Sequence, residues 1–364
     1  MKALPLLGRL GLPLLLLLLL LLSACAHKQY TFEYIPPAQF SEEKKQAAIW
    51  PMPPDIPRYK YVGDIVGEEN FRLVEESEGS IRKVFSWLGN FIFGEDAPLR
   101  LQRPQSGLLD EKNQRLYITD VGLKKLLLFD IKTGKLETLD GDATTELKTP
   151  IAVSLIGDDI HVTDADAGEI FVFSSQGELI RLYGKKELKR PTGIAYDSLG
   201  QRVFVADSQV HKIHVFSTQG KWLKSFGQKG ALNGKFNSPT HLAVNADKLL
   251  VSDTLNARVQ IFDTQGNWLQ SFGRRGTRKG DMPRPKGIAF DSDSNIYVAE
   301  SNYDHLLMFN SLGQRLLAIG GTGNKAGQFD LPAGIWVDKS DKVYVADILN
   351  RRISVFQYLR EAND

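Results

Sequence analysis

The sequence predicts an all-β fold, a six-bladed β-propeller closed by an N-terminal strand, and three observations predict it. One pattern recurs six times from residue 104 onward: a proline, a short apolar run, a polar turn, then an apolar segment ending in Asp or Glu. Those acids are Asp120, Asp164, Asp207, Asp253, Glu300 and Asp347, 43 to 47 residues apart. A period of that size built only from strand patterns describes four-stranded sheets stacked around an axis, each unable to bury both faces alone. Turn glycines recur as Gly134, Gly177, Gly220, Gly266 and Gly313, where a tight hairpin asks for positive φ. Finally, the sixth repeat runs out after Phe356, one strand short, while a strand-like segment, Arg58 to Ile65, stands upstream of the first repeat.

Taken in order, residues 1–24 read as a secretory signal. Lys2 and Arg9 precede nine consecutive leucines, Leu14 to Leu22, and small residues follow. Arg9 and Pro13 leave too short an apolar run for a membrane span, which takes about 20 residues. Leu22-Ser23-Ala24-Cys25 resembles the bacterial lipobox. That resemblance implies cleavage before Cys25, lipidation of its sulfur and acylation of its new amino terminus. It implies a bacterial cell-envelope protein held to the membrane through Cys25, and Ala26 after the cysteine favours the outer membrane, facing the periplasm. Cys25 is the one cysteine, so no disulfide framework is expected.

Residues 25–57 read as the acylated cysteine and a proline-rich tether, carrying Pro36, Pro37, Pro51, Pro53, Pro54 and Pro57. The propeller is expected over residues 58–364. Its first part, 58–65, has the aromatic alternation of an outer strand and is expected to pair beside Ile353 to Phe356, hiding two open edges. Residues 71–100 break the pattern. Ile81, Val84, Phe85, Leu88, Phe91 and Ile92 recur at helical spacing and predict an inserted amphipathic helix. Residues 101–356 hold the repeats.

Two repeats are almost superimposable, DTLNARVQIF from Asp253 and DILNRRISVF from Asp347, and the strand-a motif reads PTGIAYD, PKGIAFD and PAGIWVD in three blades. These segments resemble the NHL repeats, and the departures are PQSGLLD, PIAVSLI and PTHLAVN. With the lipobox, the chain resembles the six-bladed NHL-repeat lipoproteins of bacteria. That resemblance leaves open both a binding scaffold and a metal-dependent propeller enzyme of lyase or lactonase type, with its site in the central channel.

Residues argue for the scaffold. The position two after each repeat proline should face the axis and reads Ser106, Ala152, Gly193, His241, Gly287 and Gly334. Catalytic zinc takes about three protein ligands, and His241 is the single candidate there. His161, His211, His214 and His305 fall on strands b and c or their loops. Asp197, Asn245, Asp291 and Asp338 end strand a, where Asp and Asn cap turns locally. Asp253, Asn256 and Arg258, with Asp347, Asn350 and Arg352, read as turn and interblade hydrogen bonds. No Ser-His-Asp set, phosphate loop or cysteine nucleophile is visible, so no catalytic residue, metal or cofactor is assigned.

Charge is the remaining signal. Without residues 1–24 the basic count falls from 45 to 43, level with 43 acids, so a polyanion binder such as a nucleic-acid protein is not indicated. Locally the balance breaks. The d-to-a loops carry Lys185, Lys186, Lys189 and Arg190, then Arg274, Arg275, Arg278, Lys279, Arg284 and Lys286. The opposite turns carry Asp158, Asp159, Asp197, Asp247, Asp291, Asp293, Asp338 and Asp341. A field across the disc would steer an anionic partner, an envelope protein or ligand, onto the basic face.

Overall fold

The computed structural model describes residues 30–36, 48–73, 97–278 and 280–360. Six sheets ring an axis. Blade 1 is built from Pro104–Asp110, Arg115–Asp120, Lys125–Asp130 and Lys135–Leu139, strands a to d from the axis outward, and blades 2 to 5 repeat that order. Their inner strands a begin at Pro150, Pro191, Pro239 and Pro285. Strands b and c read as unbroken apolar runs, such as RVFVAD at Arg202–Asp207, because neighbouring blades cover both their faces. Strands d are mixed half-buried and exposed, as a rim strand should be.

Six apolar clusters sit between successive blades, one at each interface. Among the described residues there is therefore no single core. There is a ring of cores, each shared by two sheets. The turn glycines take the expected positive φ, from 69° to 91°.

Blade 6 is composite. Pro332–Val337, Lys342–Asp347 and Arg352–Tyr358 are completed by Tyr59–Ile65, antiparallel, with Ile353 opposite Ile65 and Tyr358 opposite Tyr59. Tyr59 and Tyr61 enter the cluster between blades 5 and 6, and Ile65 enters the one between blades 6 and 1. One strand thus contributes to two interfaces, so it closes both the sheet and the ring.

The stretch expected as a free tether is partly docked. Ile49–Trp50 adds a fifth strand outside Tyr59–Lys60, and Trp50 packs edge-on against Phe356 at 5.7 Å. Tyr30–Phe32 pairs with Phe71–Leu73, and Phe32 meets Phe71 and Phe129. Proline favours an extended path without removing the apolar surface of the aromatic side chains in the same stretch, and that surface finds the ring. The segment expected as a secretory signal, with Cys25, and the helix expected at 81–92 lie outside the described residues.

Candidate functional site at the axis and on the basic face

The acid ending strand b in every blade is wholly buried. It clamps the loop that leads into strand a. Asp120 accepts the backbone N–H of Gln102 and Arg103 from that loop at 2.7 and 3.0 Å, and those of Gly122 and Leu123 from its own turn. Asp164 and Asp207 repeat this pattern, and Glu300 holds Arg284, Asn302 and Tyr303. A buried carboxylate is costly unless its lone pairs are met, and here backbone donors meet them. These acids build the basic face without belonging to its chemistry.

Each strand a shifts register just after its proline. Four residues at the position two after the proline, Ser106, Ala152, Gly193 and His241, line the axial cavity as the repeat alignment expected. Glycine is needed where strands converge. A Cβ on Gly193 would lie 2.6 Å from the Thr240 carbonyl, one on Gly287 2.1 Å from that of Ala333, and one on Gly334 2.4 Å from that of Gln105. The cavity, about 560 Å³, extends toward the a-to-b turns, past Leu155, Tyr196, Asn245, Asp291 and Val337.

His241 lines this cavity with both ring nitrogens buried and without a hydrogen-bond partner in the protein. Burial pushes its pKa down to about 3, and the Lys286 charge pushes the same way. It is a neutral imidazole at pH 7. Trp336, another lining residue, has a buried indole N–H with no partner in the protein. Among the described residues no three His, Cys, Asp or Glu side chains converge as a metal ion requires. His161 is buried on strand b of blade 2, 3.0 Å from the Tyr183 hydroxyl, and His214 is buried on strand c of blade 3. His211 accepts the Ser238 N–H in a loop, and His305 opens strand c of blade 5.

The strand-a acids act as turn caps. Asp291 accepts from the Asn295 amide and the Tyr297 hydroxyl at 2.9 and 2.8 Å, and Asp338 accepts from Ser340 and the Tyr344 hydroxyl. Asp197 pairs with Arg202 at 2.8 Å, and Asn245 donates to Ser294. On the same face Asp158 meets Lys112, Asp159 lies 3.8 Å from Arg181, and Asp341 meets Arg360.

The basic loops divide. Lys185 pairs with Glu169, Arg190 with Asp166 and Arg274 with Asp281, at 2.5 to 2.7 Å. Arg275 donates to the Leu255 carbonyl. Lys186, Lys189, Arg278 and Arg284 are exposed and make no ion pair among the described residues, where Lys279 is not included. Lys286 differs from the others. It is half-buried, and burial, with Arg284 and Arg103 acting the same way, lowers its pKa to about 8. Arg103 went unnoticed in the sequence, although the repeat alignment places Arg103, Arg190 and Arg284 alike, just before the strand-a proline of blades 1, 3 and 5.

No family model matches the chain, and no curated protein matches it. Solved structures share its fold. A structural-genomics protein of unknown function from Bacteroides thetaiotaomicron superposes with TM-score 0.59 at 14% identity, covering 72% of this chain and 71% of the other. An auxiliary nutrient binding protein from the same organism gives 0.57 at 12% identity, over 71% and 70%. Virginiamycin B lyase from Staphylococcus aureus gives 0.54 at 14% identity, over 72% and 98%. At these identities the likeness shows the six-bladed propeller and nothing about the site.

Proposed function

We propose that this chain is a bacterial lipoprotein of the NHL-repeat kind that works as a non-catalytic scaffold, capturing an anionic envelope protein or ligand on its basic face. One observation carries the reading. Lys186, Lys189, Arg278 and Arg284 stay uncommitted on the d-to-a loops, while acids of the opposite face are spent on turns and ion pairs. Such an uncompensated set steers partners of opposite charge.

The docked N-terminal segment supports an orientation. Tyr30 lies against Gly134 in the c-to-d turn of blade 1, where a Cβ would fall 2.2 Å from that of Tyr30. The five residues from Cys25 to Tyr30 reach at most about 17 Å when extended. A lipid on Cys25 therefore keeps the c-to-d-turn side of blade 1 near the outer membrane and leaves the basic face turned to the periplasm.

The decisive measurement is capture from envelope extract by wild type and by a chain with Arg275, Arg278 and Lys279 reversed to Glu, at low and high salt. Wild-type capture should fall with salt, since exposed charges are screened beyond about 8 Å at physiological ionic strength, and the reversal should weaken it. Equal, salt-insensitive capture by both overturns the basic-face reading. Fatty-acid labelling of a Cys25→Ser chain overturns the anchor. The competing reading, a metal-dependent lyase or lactonase, draws on His241 in the cavity and on the shared fold of virginiamycin B lyase. A stoichiometric metal lost on His241→Ala would favour it.

A further inference from the structure

Each blade sends one apolar side chain to the axial cavity from the same register. The fifth residue after the strand-a proline is, from blade 1 to blade 6, Leu109, Leu155, Tyr196, Val244, Phe290 and Val337, and all six line the cavity. Each packs against one interblade cluster, a different cluster for each, yet each stays only half-buried. The result is an apolar collar around the axis. Apolar surface that is gathered together and left open to water commonly marks a place that a ligand covers.

One residue further along, the ring turns acidic. The sixth position reads Asp110, Ile156, Asp197, Asn245, Asp291 and Asp338. Asp291 lines the axial cavity itself. Leu109, Leu155 and Val337 of the collar also line an outer hollow of about 620 Å³, together with Asp110 and Asp338, so the cavity opens among the a-to-b turns. The bases at these turns are already matched. Lys112 meets Asp158 at 3.0 Å, Lys339 meets Glu111 at 3.4 Å and Arg202 meets Asp197 at 2.8 Å. Asp110 accepts instead from Asn113, Asp291 from Asn295 and Tyr297, and Asp338 from Ser340 and Tyr344, all neutral donors. None of these three forms an ion pair among the described residues. Hydrogen bonds occupy their oxygens without cancelling their charge. Within the cavity, no lysine or arginine appears among the described lining residues.

We propose that the axial cavity binds a small organic cation, an amine with an apolar or aromatic body that the collar encloses and a charged group that stays at the acidic mouth. The size fits, because about 560 Å³ falls within the range of about 300–1,000 Å³ typical of small-molecule sites. Tyr196, Phe290 and Trp336 bring aromatic surface to the lining, and aromatic faces attract cations. Strand a ends each sheet, so its inner edge offers backbone groups to any polar atoms of the ligand. An anion of the same shape would meet carboxylates at the mouth and no base within. The site lies toward the face opposite the docking loops and does not rest on the docking reading.

The test titrates the folded chain with three probes of one shape, naphthylmethylamine, naphthylmethanol and naphthylacetate, and reads binding by calorimetry at pH 7. The amine should bind about tenfold more tightly than the alcohol, the scale of a cation held against aromatic faces, and the carboxylate most weakly. Salt should weaken the amine and leave the alcohol unchanged. Leu155→Lys, judged folded by its circular dichroism melt, places a base in the collar and should reverse the order, favouring naphthylacetate. Asp338→Asn keeps a side chain able to cap the turn, so it serves even where the lysine variant does not fold. It should weaken the amine about threefold, the scale of one charge acting across a solvated mouth, and leave the alcohol unchanged. The chain with Arg275, Arg278 and Lys279 reversed to Glu should bind the amine as wild type does, which separates this site from the docking reading. No saturable binding of the amine at millimolar concentration overturns the site, as does equal affinity for amine and carboxylate. Unchanged amine affinity in both Leu155→Lys and Asp338→Asn places the cation elsewhere and overturns it too.

Discussion

Blades 4 and 6 carry nearly the same b-to-c sequence and solve different problems with it. In blade 4, Asp253 accepts from Asn256, Arg258 and Gln260 at 2.8, 2.8 and 3.0 Å. The outer strand comes from the same repeat, and the pair across it, Gln260 opposite Ser271, is neutral. In blade 6, Asp347 accepts from Asn350 and Arg352 at 2.7 and 2.9 Å, but Ser354 stands where blade 4 has Gln260. Opposite it lies Asp64, from a strand nearly 300 residues away in sequence, and Arg352 spans both carboxylates. Ser354 and the Tyr61 hydroxyl donate to the other Asp64 oxygen. A strand tied by a hairpin finds its register through the turn. One arriving from the far end of the chain needs a mark of its own, and a buried ion pair supplies one because any slip strands a charge.

Removing the borrowed strand breaks the comparison most severely. Deletion of residues 58–65 strips Tyr59, Tyr61 and Ile65 from two interfaces and reopens an edge. Stripping three buried side chains from two of the six cores, at about 2–5 kcal/mol each, should cost an amount comparable to the stability of about 5–15 kcal/mol typical of a folded domain. The expected outcome is aggregation or loss of a cooperative melt by calorimetry. A monomeric deletion product with an unchanged melt would show that the ring closes by another strand.

Single substitutions sharpen the contrast. Asp64→Ala should cost about 3–5 kcal/mol in urea denaturation, because it strands part of a buried guanidinium, whereas Ser271→Ala at the matching place in blade 4 should cost less than about 0.5. Combining Asp64→Ser with Ser354→Gln rebuilds the neutral pair of blade 4, and a coupling energy of about 0.5–3 kcal/mol between them would show that the two sites act as one lock. The arginines should follow the same order. Arg352→Met leaves two buried carboxylates facing each other and should cost more than Arg258→Met, which leaves one with Asn256 and Gln260 still donating. Equal losses would mean that the second carboxylate adds nothing.

Much of this was legible beforehand because it is local. Strand runs, turn glycines and the 43-to-47-residue period are properties of a few neighbouring residues, and the borrowed strand announced itself by aromatic alternation with no partner nearby. The Asp-Asn-Arg sets were read as turn and interblade bonds, and in both blades they join the turn to the preceding loop. What escaped the sequence depends on ring closure. Asp64 is one acid in an outer strand until Arg352 is brought beside it. Lys286 reads as another loop cation, and only the circular arrangement lets the Arg103 charge act on it. Phe32 and Trp50 carry no periodicity among their prolines, so nothing in their spacing foretold that they dock.

The last expected effect is a slope with pH, set by the buried acid of blade 6. Burial raises the pKa of Asp347 to about 6 against the downward pull of Arg352, and burial raises that of Asp64 as well. The unfolded chain releases the Asp347 proton near pH 3.8 and the native state holds it to about 6. Between those values the native state binds more protons, so this contribution is complete below 3.8 and fades as pH rises to 6. His161 and His241, with burial pushing both down to about 3, run the other way. Their contribution is complete above 6.5 and is lost as pH falls, since the unfolded chain takes protons that the native one refuses. The two trends oppose each other in whole-protein melts, and Asp347→Asn removes only one of them. The stability of wild type minus that of the variant, from denaturation at pH 4, 5, 6 and 7, should therefore decline from pH 4 to 6 and then level. A difference that stays constant over that range would mean that Arg352 keeps Asp347 ionised throughout.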